Sequence, residues 1–229
     1  MSELLHMTPD ASAPAPCSVR FTIDDAIAAG KAWRFNCGPG ALCAVLDKTP
    51  NEIRPLLGDF ESKGYTNPTL MFDILKAQDV KHRLVFRSDN PGPLDTFPTL
   101  GLMRVQWGGP WTKPGVPMRV RYRETHWVAV RTMLHPLYPL QIFDINAICV
   151  GGWIGWIEWA NQLVPWLIKQ CSPKASGEWW ATHVIEISPH EAGANIRSVQ
   201  LSLGHAHLET TEGYVHAEAD AVPSPLDAL

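Results

Sequence analysis

"RFNCGPGALCAVLDKTP", residues 34–50, sets a cysteine directly before Gly-Pro-Gly and then runs into small and aliphatic residues. Gly-Pro is loop chemistry, while Ala41, Leu42, Val45 and Leu46 repeat at helical spacing. The stretch therefore reads as a loop passing into an apolar helix that begins at Gly38 or Pro39. Proline suits a first helical turn, where its missing N–H would have no intrahelical partner anyway. Cys37 is expected at that helix N-terminus, with glycines on both sides of Pro39 leaving room for a substrate backbone. A thiol so placed ionises readily when a histidine stands beside it. The free N–H groups of the turn offer part of an oxyanion site. Cys43 lies six residues further on, a rise of about 9 Å, which exceeds the roughly 7 Å Cα limit for a disulfide. It reads as core filler.

Outward from this helix, Thr49, Pro50 and Glu52 form a capping-box signature that opens a second helix, and Asn67 with Pro68 opens a third that ends near Gln78. The middle of the chain changes period. "HRLVF", "GLMRVQW", "HWVAVRTM" and "LQIFDI" are short runs rich in β-branched and aromatic residues, separated by Pro/Gly loops, and they read as strands of a largely antiparallel sheet. "WIEWANQLVPWLIKQ" reads as an amphipathic helix kinked by its proline, its tryptophans as core, and "WWATHVIEIS" as a closing strand. Helices first and strands afterwards imply an α+β fold.

The chain has 229 residues, 45% of them apolar, and a formal net charge of −4 without a run of one sign. A chain of this length buries about 70% of its unfolded surface and supports its own core. The charge argues against a nucleic-acid or membrane-surface binder, which relies on a basic footprint. Five cysteines without a CxxC pair argue against a disulfide framework or a zinc site, so no metal or cofactor is expected. No signal peptide or membrane span is read, so the expectation is a soluble, cytoplasmic protein. Residues 1–20, with "ASAPAP", read as a disordered arm, 21–188 as one domain, and 189–229 as a helical appendage with a loose tail.

A thiol nucleophile needs a base. "ETHWVAVR" puts His126 at the start of an apolar strand, and "LQIFDINA" ends the next strand with Asp144, followed by Asn146. A hairpin of those strands would bring Asp144 or Asn146 beside His126, where either fixes the imidazole tautomer.

"NCGPGALCAVL", "THWVAV" and "IFDINA", with "GYTNPTLMFDILKA" between, closely resemble the papain-like cysteine peptidases, above all the bacterial branch related to bacteriocin-leader peptidases. The resemblance covers roughly residues 30–188. It implies a papain-like fold, Cys37 as nucleophile, His126 as general base and acid, Asp144 as orienter, and a peptide or protein substrate. The family usually carries a glutamine five or six residues before the cysteine as an oxyanion donor. Here "GKAWRFNC" holds none, and Lys31 or Asn36 is the available substitute. Two other readings stay open: acyl transfer to an amine by the same triad, and a binding module that kept the fold without the activity.

"GANIRSVQLSLGHAHLETTEGYVHAEA" resembles the end of the tyrosine recombinases, with His205 and Tyr214 at the family's histidine-to-tyrosine spacing. The arginines and lysine that hold the scissile phosphate have no counterpart, and a lone tyrosine cannot stabilise a phosphoryl transition state. The segment reads as a fusion remnant, or as a helix that docks onto a recombinase, rather than as a recombining enzyme.

Overall fold

The computed structural model describes residues 19–33, 37–87, 97–116, 124–132 and 140–188. Helices lead: α1 (Ile23–Trp33), α2 (Cys37–Leu46), α3 (Pro50–Ile53) continued by a 3-10 turn (Arg54–Leu57), α4 (Phe60–Lys63) and α5 (Pro68–Ala77). Strands β1 (His82–Arg87), β2 (Leu100–Trp107), β3 (Thr125–Thr132), β4 (Leu140–Phe143), β5 (Trp153–Gly155) and β6 (Trp179–Ile187) follow. They form one six-stranded sheet in the order β1-β6-β2-β3-β4-β5. Every pairing in it is antiparallel. The α+β class holds. Among the described residues no helix is long and apolar enough to cross a membrane.

Local chemistry explains the caps. The Thr49 side chain accepts from Glu52 N–H while the Glu52 carboxylate takes Thr49 N–H at 2.7 Å, a closed capping box. Asn67 Oδ1 accepts Leu70 N–H at 2.7 Å and opens α5. The described helix Cys37–Leu46 includes Cys37 itself, where the Gly-Pro pattern suggests a start at Gly38 or Pro39.

Helices cover both faces of the sheet. Alternation along the strands sends Leu102, Trp127 and Ala129 into a core with Ala41, Leu42 and Val45 of α2. Their neighbours Met103, Val128 and Val130 go to a second core with Val164, Leu167 and Ile168 of α7 (Val164–Cys171). Burial on both faces is why these strands read as continuous apolar runs instead of alternating ones.

The structure departs from the sequence reading in several elements, strand β5 among them. Helix α1, with Ala26, Ala29 and Trp33 buried, has no counterpart in it. The expected single amphipathic helix is instead α6 (Trp156–Glu158), a π-helical turn (Trp159–Leu163) and α7. Val164 N–H reaches Trp159 O, five residues back. Pro165 has no N–H to continue an α-helical ladder, and the widened turn just ahead of it takes up that mismatch.

Candidate active site

Strand β4 pairs with β3 from Ala129 to Thr132, so among the described residues the first half of β3 has no strand neighbour on that side. Helix α2 brings Cys37 to this gap. The backbone N–H of Trp127 bonds the Cys37 sulfur there, and the His126 side chain bonds the same sulfur. The approach is close because α2 begins with small residues. A Cβ on Gly38 would stand 2.0 Å from Thr66 Oγ1, and one on Gly40 would stand 3.0 Å from Ile145 Cδ1. Both lie inside contact distance, so glycine is the residue that fits. Trp127 closes the other side, its indole Nε1 donating to Thr66 O at 2.9 Å.

His126 Nε2 lies 2.8 Å from Asp144 Oδ2. An ionised carboxylate only accepts, so Nε2 carries the proton and Nδ1 is the ring nitrogen left for the sulfur. Asp144 is wholly buried and fully bonded. Oδ2 also accepts from Trp159 Nε1 at 2.9 Å, while Oδ1 accepts from Asn146 N at 2.9 Å and Asn146 Nδ2 at 2.8 Å. Its backbone is tied as well, N–H to Gly152 O at 2.9 Å and O to Ala147 N–H at 2.9 Å. The position is built into the fold, since Asp144 directly follows β4 and caps the 3-10 helix Ile145–Val150.

The electrostatics follow from these contacts. Burial alone would push the Cys37 thiol up. The hydrogen bond and charge of His126, with the Trp127 N–H, outweigh burial and a smaller opposing push from Asp144, and the thiol falls below its ordinary value. Burial works against the His126 imidazolium, yet the charge and hydrogen bond of Asp144, then Cys37, hold it well above the usual histidine value. For Asp144 burial is again the opposing influence, and His126, Trp159 and the Asn146 N–H hold its carboxyl low. Thiolate beside imidazolium beside carboxylate is the protonation state that all three shifts favour. Cys43 makes the contrast: deep burial, with a small push from Glu52, drives its thiol up to about 12.

Of the residues singled out in the sequence, Cys37, His126 and Asp144 come together. Between the candidates for orienter, Asp144 touches the imidazole and Asn146 bonds Asp144. Lys31 is exposed in the last turn of α1, while the side chains acting on the thiol are those of His126 and Asp144. Asn36, His205 and Tyr214 lie outside the described residues. The sequence marks Trp159 only as core. It is fully buried, packs on Trp156 and Trp179, and also holds the carboxylate. Cys37, Cys43, Cys149 and Cys171 are free thiols. Among the described residues no group of three or more His, Cys, Asp or Glu could hold a metal ion. No family model, curated protein or solved structure matches this chain.

Proposed function

We propose that this chain is a thiol-dependent hydrolase of papain-like architecture that cleaves a peptide or isopeptide bond. The observation that carries the reading is the junction of the Cys37 sulfur with an imidazole whose far nitrogen is fixed on a buried carboxylate. The Cys37 thiolate adds to the scissile carbonyl carbon, forming a C–S bond and an oxyanion. In this reading the N–H groups of the first turn of α2, among them those of Cys37 and Gly38, receive that oxyanion. Collapse breaks the C–N bond as His126 Nδ1–H protonates the leaving amine. Water, deprotonated by the now neutral His126, then attacks the thioester, and the acid product leaves with the thiolate regenerated. An amine in place of water would make the same enzyme a transferase.

The non-enzymatic module is the second reading, favoured by the lack of a glutamine ahead of Cys37. One experiment separates them. Denatured protein mixtures, some bearing isopeptide links, are incubated with the wild type and with Cys37→Ala, and new termini are mapped by mass spectrometry. New termini made by the wild type alone support the hydrolase. Cleavage that survives in Cys37→Ala, or none by either protein, overturns it.

A further inference from the structure

Thr66 stands immediately ahead of Asn67, the residue that caps α5, and its carbonyl accepts the Trp127 indole N–H at 2.9 Å. Trp127 in turn gives its backbone N–H to the Cys37 sulfur. On its other side Thr66 meets α2. Its Oγ1 is the atom nearest to where a Gly38 side chain would begin, 2.0 Å from that Cβ position. Thr66 is thus held between the residue that follows Cys37 in the chain and the residue that bonds its sulfur. It is 5% exposed. Among the described residues its hydroxyl has no hydrogen-bond partner.

A buried hydroxyl without a partner costs stability, and a methyl in its place would avoid that cost. A polar atom kept in such a position points to a ligand. Addition of a thiolate to a carbonyl places negative charge on an oxygen beside Cys37, and that charge needs donors fixed in advance. The first turn of α2 is short of one, since Pro39 has no N–H. No glutamine precedes Cys37, and Lys31 is exposed.

We infer that the Thr66 hydroxyl is an oxyanion donor of this site, serving the charged oxygen together with the first-turn N–H groups of α2. The inference rests on the reading that Cys37 attacks an acyl carbon. The hydroxyl donates a hydrogen bond and keeps its proton throughout. The bond strengthens as the carbonyl oxygen gains charge and weakens when the intermediate collapses, so it favours the transition state over the bound substrate. Gly38 is part of the device, because a side chain there would occupy the space in which the hydroxyl meets the helix end.

The test compares two reactions at one sulfur. Acylation by p-nitrophenyl acetate passes through an oxyanion, whereas alkylation by iodoacetamide displaces iodide and forms none. Acylation is read as the initial release of p-nitrophenolate less that of Cys37→Ala, and alkylation by peptide mapping. The ratio of the two rates is formed within each protein, so any change in Cys37 ionisation cancels. Thr66→Val is expected to lower that ratio about tenfold or more, the size of a hydrogen bond to a charged group. Thr66→Ser keeps the hydroxyl and should bring most of the ratio back, and Thr66→Ala serves if the valine variant does not fold. A ratio unmoved without the hydroxyl, or lowered as far by serine as by valine, overturns the assignment. So does a wild type that releases no more p-nitrophenolate than Cys37→Ala. The nucleophile survives those results as long as iodoacetamide modifies Cys37 faster than Cys43. Were Cys37 modified no faster than Cys43, the hydrolase reading beneath the inference fails, and the inference goes with it.

Discussion

Asp144 Oδ2 receives the His126 imidazole at 2.8 Å from inside a fully bonded, fully buried carboxylate. The imidazole is thus held in one tautomer and orientation by a group that cannot turn away. The geometry of this carboxylate and imidazole is set by the end of β4 and the 3-10 helix that Asp144 caps.

The charge on that carboxylate is what keeps His126 protonated, so Asp144→Asn should lower the His126 titration midpoint. Histidine NMR, with the resonance assigned by its loss in His126→Gln, reads the shift. A midpoint unmoved by the substitution would mean that Asp144 only positions the ring.

Trp159→Phe keeps an aromatic ring in the core and removes one donor to Asp144. Loss of a hydrogen bond to a charged group, with a small packing defect, should cost about 2 kcal/mol at pH 7. The pH dependence separates the two contributions. Asp144 has a lowered folded pKa, so its stabilisation is present above the unfolded value of about 3.9 and is lost as pH falls through the folded value. Without the indole N–H that folded pKa rises. The wild-type advantage in urea unfolding should therefore hold from pH 7 down to about 4 and shrink as pH falls further, through the folded values of the two proteins. A constant advantage would assign the indole to packing alone.

Gly38→Ala drives a methyl to 2.0 Å from Thr66 Oγ1. The overpacking should cost about 1–3 kcal/mol. Adding Thr66→Ala removes that oxygen but leaves the Thr66 Cβ position at 2.8 Å, so the double variant should recover part of the loss. Simple additivity of the two costs would contradict the contact.

How far the sequence showed this site depends on the range of each interaction. Cys37 was legible because Cys-Gly-Pro-Gly before an apolar run is local chemistry, and His126 and Asp144 because each marks an end of an apolar strand. The capping box at Thr49 and the Asn67 cap are equally local. Contacts set by tertiary packing were not legible: the Trp159 indole reaches a carboxylate 15 residues away, and Trp127 bonds a carbonyl 61 residues away. That Arg87 and Arg104 both stand opposite His183 follows only once the registers of three strands are known. Helix α1 was missed between the expected disordered arm and the cysteine motif. Strand β5, at three residues, is too short to show a period.

The central claim is that His126 makes Cys37 a thiolate, and iodoacetamide alkylation resolved by peptide mapping measures it directly. At pH 6–7 the account predicts that Cys37 is modified much faster than Cys43, whose thiol sits at about 12, and that His126→Ala slows Cys37 by about tenfold or more. A Cys37 that reacts no faster than Cys43, or at the same rate without the imidazole, would contradict it.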